Sequence, residues 1–169
     1  MKRLLLLIIF IGSVFHVYAK GDGTSQVQYA AITTDSLSLR LEKLQHDYDF
    51  MYCDYEAYKL QMDLKDLAKS IDISSNGILI NVYNGRYDND LYKVYLENYK
   101  TSCDLFESLK EGIENVRTLV SLKILFSGFT DTEINVLTSK FNVINNAVTK
   151  VQSSLNYYDV VLKAYKDKR

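Results

Sequence analysis

Residues 130–169 read TDTEINVLTSKFNVINNAVTKVQSSLNYYDVVLKAYKDKR, and the spacing of the apolar side chains in this stretch decides the fold. Apolar residues recur at alternating steps of three and four, which is the a and d pattern of a heptad repeat on one face of an α-helix. They are Ile134, Leu137, Phe141, Ile144, Val148, Val151, Leu155, Tyr158, Leu162 and Tyr165. Such a face must be covered in water, so the stretch predicts a helix over about 131–167 that packs against other helices.

The same spacing predicts an earlier helix over about 35–75. Asp35 or Ser36 caps its N-terminus, and Gly77 ends it in the left-handed conformation that glycine adopts without strain. Its a and d positions hold Leu37, Leu41, Leu44, Tyr48, Met51, Tyr55, Tyr58 and Met62. We expect this row of side chains to be the core face of the helix.

A middle helix is predicted over about 88–126. Acidic Asp88 and Asp90 complement the partial positive charge of its N-terminus. Its heptad positions hold Tyr92, Tyr95, Tyr99, Ser102, Phe106, Leu109, Ile113, Val116 and Val120. Thr130 and Glu133 then have the spacing of a capping box, which begins the last helix after a short connection.

Three helices of similar length joined by short connections favour antiparallel neighbours. The chain contains no proline, which suits long uninterrupted helices. The predicted fold is therefore all-α, an elongated antiparallel three-helix bundle with coiled-coil-like packing over residues 35–169.

Residues 1–19 have the features of a signal peptide. Lys2 and Arg3 precede an apolar run over 4–15 that is short for a transmembrane span, and compact residues end at Ala19. We predict cleavage after Ala19, and the lack of a cysteine at that point argues against a lipoprotein. The next residues, 20–34, contain glycine and small polar side chains and are predicted to be a flexible tether.

Charge and hydropathy limit the partners of the mature chain. Removal of Lys2 and Arg3 lowers the number of basic residues from 20 to 18 against 21 acidic residues, which leaves a net charge of −3. This weak acidity gives no electrostatic reason to bind nucleic acid. With no second apolar run of membrane-spanning length, we expect no membrane insertion and a soluble periplasmic or extracellular protein.

The segment 78–84 has an apolar, β-branched composition between two Asn-Gly pairs, which are turn signals. It is predicted to be an ordered connection at the end of the bundle, either a hydrophobic plug or an exposed surface that binds a partner. The side chains that would form this surface are Ile78, Leu79, Ile80, Val82, Tyr83 and Tyr87.

Cys53 and Cys103 are the two cysteines of the chain. In a helical hairpin that turns near residue 79, they lie at nearly equal distances from the turn, and an oxidising location permits a disulfide between them. Their heptad positions point away from the core face, however, so two free thiols are the alternative.

The sequence offers little catalytic chemistry. His46 is the one histidine beyond the predicted signal peptide, and its position off the heptad row is typical of a surface residue. The carboxylates alternate with lysines in the manner of a solvated helix face. We therefore predict no catalytic residues, no metal site and no cofactor.

The predicted function is that of an exported structural or interaction protein of the cell envelope, an adaptor or accessory subunit that binds another protein. Its architecture resembles the minor helical subunits of secretion or conjugation machines, which implies membership of such an apparatus as one alternative. A second alternative is a small-ligand or peptide-binding module at the tyrosine-rich end of the bundle. The heptads also permit self-association, because a second chain can cover an apolar row.

Overall fold

The protein is all-α. The computed structural model describes the backbone of residues 23–168 and the side chains of residues 33–168, and this part contains three helices and no strand. The helices are α1 (Gly23–Tyr83), α2 (Asn89–Ser127) and α3 (Asp131–Lys168). The chain divides into two compact units, Met1–Gln45 and His46–Arg169, and the second contains α2, α3 and the part of α1 that begins at His46. The predicted signal peptide, residues 1–19, lies outside the described residues.

Helices α1 and α2 are antiparallel. Near one end of the pair, Lys123 on α2 bonds to Asp49 on α1. Near the other end, the Asn81 amide on α1 donates to the Tyr95 hydroxyl on α2, with 2.6 Å between the heavy atoms. Residue numbers therefore rise along α1 as they fall along α2.

Helix α3 runs in the direction of α1. Lys140 near its start forms an ion pair with Asp54, and the Ser154 hydroxyl further along donates to Asp72. The bond from Ser154 is the main reason that the pKa of the Asp72 carboxyl is lowered. The three helices thus have the predicted up-down-up order.

The predicted helix starts at α2 and α3 are confirmed. The Asp88 carboxylate accepts from the backbone N–H groups of Asp90 and Leu91, and these bonds lower its pKa. Thr130 and Glu133 form the predicted capping box, because each side chain accepts from the other residue's backbone N–H.

The core faces predicted for α2 and α3 are also confirmed. Side chains from both rows are buried, and the remaining members of the rows are partly buried. The buried members are Phe106, Ile113, Val116, Val120, Leu137, Ile144, Val151, Leu155, Tyr158, Leu162 and Tyr165.

The core face predicted for the first helix is wrong. The predicted row is exposed at Tyr48, Met51, Tyr55 and Tyr58. The buried row of α1 consists of residues that lie two positions after these along the sequence. Two positions turn about 200° around a helix, so the observed core face is opposite to the predicted one. The buried apolar side chains of α1 are Cys53, Ala57, Leu60, Leu64, Leu67, Ala68, Ile71 and Ile78.

The bounds of α1 differ from the predicted 35–75. The helix continues through Gly77 to Tyr83, because Ile78 is fully buried and this packing outweighs the turn signal of Asn76-Gly77. The turn instead occurs at Gly85, whose φ of 68° is left-handed. At the other end α1 begins at Gly23, so residues 23–34 of the predicted tether are helical.

Candidate partner-binding surface

Four large side chains of α1 form an exposed apolar surface in the second unit. They are Tyr48, Met51, Tyr55 and Tyr58, between 50% and 68% exposed, and we call them the tyrosine row. A single exposed apolar side chain is ordinary, but a contiguous group marks an interaction surface. The spacing in the sequence identified this row, but the prediction that it faces the core is wrong.

The sequence also determines where the tyrosine row ends. Met62 occupies the next heptad position and is partly buried, and the two heptad positions after it hold the exposed lysines Lys65 and Lys69. A charged side chain at an a or d position interrupts an apolar seam. The apolar surface therefore stops about one turn beyond Tyr58.

Contacts within the second unit hold parts of the row in place. The rings of Tyr48 and Tyr52 are stacked, with centroids 6.2 Å apart. The Lys140 ammonium lies 5.8 Å from the centre of the Tyr58 ring and also pairs with Asp54. The row thus combines an apolar centre with a charged rim, as protein interfaces commonly do.

The first unit has an exposed apolar row of its own. Leu37, Leu41 and Leu44 are between 44% and 64% exposed, and we call them the leucine row. In the sequence these leucines occupy the same heptad register as the tyrosine row.

A smaller exposed apolar group lies at the end of α2. Leu122, Leu125 and Phe126 are exposed there, within two turns of helix. This group is shorter than the tyrosine row, and we use it below as a comparison surface.

The apolar segment at the end of α1 divides between the two predicted roles. Ile78 is fully buried as a plug, while Tyr87 donates from its hydroxyl to the Val82 carbonyl oxygen at 3.0 Å and both are partly buried. Three other members of the predicted partner surface are exposed, namely Leu79, Ile80 and Tyr83. These three are exposed side chains of a helix and not of an extended connection.

The tyrosine-rich end of the bundle is filled by aromatic packing. Tyr165 is fully buried, and its ring centroid lies 5.6 to 6.3 Å from those of Tyr87, Tyr92 and Tyr95. The Tyr165 hydroxyl accepts from the backbone N–H of Asp88 at 2.8 Å. The tyrosines therefore join α3 to the α1–α2 turn through their rings and hydroxyls.

A groove of about 640 Å³ lies between α1 and α2. Its lining is rich in small polar side chains and contains two carboxylates. The polar lining residues are Asp63, Asp66, Ser70, Ser74, Asn98, Thr101 and Ser102.

The two cysteines are free thiols. The contacts between α1 and α2 place the hairpin turn near residue 87 and not near residue 79. Cys53 then lies about 34 residues before the turn and Cys103 about 16 after it, a difference of height of about 27 Å at 1.5 Å per residue. That distance is too long for an intramolecular disulfide.

His46, the side chain best suited to catalysis or metal binding, contacts other residues of the fold. His46 lies 3.3 Å from a Glu133 carboxylate oxygen, and its ring packs edge-on against Phe129. Among the side chains of residues 33–168, no group of three or more metal-ligating side chains is found. Within the helices of the described part, none is long and apolar enough to cross a membrane.

Comparison with known proteins adds no family. No protein-family model, curated protein or solved structure matches the chain. The function is therefore argued from the surfaces described above.

Proposed function

We propose that this chain is a non-catalytic helical interaction protein of the cell envelope, exported to the periplasm or the cell exterior, which binds a protein partner through the tyrosine row of α1. One observation carries the proposal: the heptad row of α1 is exposed, whereas the heptad rows of α2 and α3 are buried. Exposed tyrosine and methionine side chains are typical of the centre of a protein interface.

Export is supported by the signal-peptide pattern of residues 1–19. Intact-mass analysis of the exported protein tests it, and the expected product begins at Lys20. Detection of the chain with Met1 retained would overturn the proposed cleavage.

The partner is tested by crosslinking in cells with the tagged full chain. We expect one or a few partners in fixed stoichiometry and loss of this capture in a Met51→Glu variant, because a charge in the apolar row opposes desolvation. Ile73→Glu is the matched control, since Ile73 is an exposed apolar residue of the same helix outside the row. Equal capture by both variants would show that the tyrosine row is not the binding surface.

Membership of a secretion or conjugation apparatus is the narrower form of this proposal. The same experiment addresses it, because the captured proteins identify the machine. Capture of components of such an apparatus by the wild-type chain, and not by Met51→Glu, is the expected result for that form.

The polar groove between α1 and α2 supports a second candidate function, binding of a small polar ligand. Its hydroxyl and carboxylate groups favour a ligand that carries several hydrogen-bond donors. A ligand library screened by thermal shift tests this candidate. A saturable shift that Asp66→Asn removes would support the groove as a site, and no shift across the library would count against it.

A further inference from the structure

We infer that the partner of the tyrosine row is a second copy of this chain, joined through α1 as a parallel two-stranded coiled coil. The inference rests on the proposed function, because it names the occupant of the same surface. The periodicity and the charges beside the row support it, and the size of the row sets the expected strength of the association.

The periodicity specifies the shape of the partner. From Leu37 to Met62 in the sequence, the apolar residues are separated by alternating steps of four and three. This spacing fits a partner helix that carries an equivalent row. In the described part of the chain, the comparable rows of α2 and α3 are already buried in the core. The α1 row of a second copy supplies the matching surface, and two identical surfaces form a closed two-fold interface.

The charges beside the row favour a parallel arrangement. With Leu41 at an a position, Asp54 falls at g and Lys59 at e of the following heptad. In a parallel in-register pair these two positions face each other across the interface, so each Asp54 meets the second copy's Lys59. This opposite-charge contact occurs twice because of the two-fold symmetry, although Asp54 also pairs with Lys140 of its own chain.

The antiparallel alternative brings like charges together. In an antiparallel pair, the apolar residues of the two copies face each other when Tyr48 of one copy lies against Met51 of the other. This register also places Asp47 of each copy beside the second copy's Asp54, which gives two repulsive contacts. Charges beside the seam commonly determine orientation in this way.

The size of the tyrosine row corresponds to a small interface. An aromatic side chain covers about 150–250 Å², so the exposed part of each tyrosine corresponds to roughly 100 Å². Four side chains of this order give about 400 Å² per chain and about 800 Å² in total. An interface of this area is typical of a weak association, so we expect a dimer with a micromolar dissociation constant.

The first experiment measures the oligomeric state of the purified full-length exported chain by sedimentation equilibrium over about 1–100 µM, a range that brackets weak and moderate interfaces. We expect a dimer in the wild type and in the Ile73→Glu control. We expect Met51→Glu and Tyr55→Glu each to weaken the dimer at least about tenfold, because each places a charge in the apolar seam. A wild-type monomer across the whole range would overturn the inference.

The second experiment tests orientation with Tyr58→Cys in a Cys103→Ser background, where Cys53 is fully buried. A parallel coil places the two introduced thiols side by side, and oxidation is expected to give a disulfide-linked dimer. An antiparallel coil in the register that places Tyr48 against Met51 separates the two thiols by about 25 Å. A wild-type dimer without this crosslink would overturn the parallel arrangement.

The two proposals fail in distinguishable ways. If the chain is monomeric but captures a different protein in cells, and Met51→Glu abolishes that capture, the proposed function holds and the inferred second copy is wrong. If the chain is monomeric and Met51→Glu changes no capture, both are wrong. If Leu125→Glu abolishes the dimer while Met51→Glu does not, the exposed group on α2 is the interface instead of α1.

Discussion

The Lys123 ammonium on α2 lies 2.8 Å from a carboxylate oxygen of Asp49 on α1, and the Asp49 side chain is only 4% exposed. The Ser127 hydroxyl donates to the other oxygen of the same carboxylate at 2.6 Å. Both α2 groups therefore converge on one buried charge of α1. Since a buried charge requires its partners, this contact restricts how α1 and α2 can align.

Removal of the lysine charge should destabilise the fold strongly. Lys123→Met keeps the length of the side chain but removes the ammonium that lies 2.8 Å from the buried Asp49 carboxylate, and we expect a loss of about 2–4 kcal/mol in the free energy of unfolding. Urea denaturation at neutral pH measures this loss. The matched control is Lys93→Met, because Lys93 and its partner Asp90 are both largely exposed and such a pair contributes less than about 1 kcal/mol. Equal losses in the two variants would contradict a special role for the Asp49 contact.

Alanine substitutions at two glycines should have opposite effects. Gly77 lies inside α1 with no atom within 4 Å of an added Cβ, so Gly77→Ala should stabilise the protein by about 0.5–1 kcal/mol. Gly128 ends α2 with φ of 63°, so Gly128→Ala should destabilise it by about 1–2 kcal/mol. Thermal or urea unfolding measures both. Destabilisation by Gly77→Ala would indicate that α1 ends there.

The two thiols should differ in reactivity. Cys53 is fully buried, and burial followed by the nearby Asp49 charge raises the pKa of its thiol. Cys103 is partly buried. We expect a thiol reagent to label Cys103 in the native protein and both cysteines after denaturation, as mass spectrometry of the labelled peptides can measure. A denatured, unreduced chain with no reactive thiol would show that the cysteines are bridged.

Stability should fall in alkaline solution. Burial raises the pKa of Tyr158 to about 12, above its ordinary value of 10. A raised pKa contributes stability that is complete below pH 10 and is lost as the pH rises toward 12, because the unfolded chain ionises first. We expect this residue to account for a loss of about 2 kcal/mol over that interval.

Tyr158→Phe tests the origin of this alkaline loss. The variant removes the hydrogen bond from the Tyr158 hydroxyl to the Tyr95 carbonyl oxygen and should cost about 1 kcal/mol at neutral pH. It should also flatten the decline above pH 10, as urea denaturation at a series of pH values can measure. Tyr157→Phe is the matched control because Tyr157 is exposed. The same decline in both variants would exclude Tyr158 as its source.

Much of the fold could be predicted from local pattern. The heptads of α2 and α3 predicted both helices and their core faces, because each of these helices has one long apolar row and must bury it. The capping box of Thr130 and Glu133 predicted the start of α3, because it depends only on residues three apart.

The sequence pattern identified the residues of the tyrosine row, but it did not show that they are exposed. Spacing alone could identify the row that contains Met51 and Tyr55, yet α1 carries a second apolar face, and periodicity does not say which face is covered. The second face was harder to recognise because Asp49, Asp72 and Ser75 interrupt it. These polar residues are compatible with packing only because partners on the neighbouring helices or the backbone satisfy them.

The sequence by itself determined three helices and the inward faces of α2 and α3, since these depend on short-range spacing. Tertiary structure alone decided which face of α1 is buried and where that helix ends. At the level of Cys53 and Ala57 the core already receives Val116, Val120 and Leu137, and the α1 face with these two small side chains fits the remaining space where a row of tyrosines would hold the helices apart. Close packing therefore selected the smaller face and left the tyrosine row exposed.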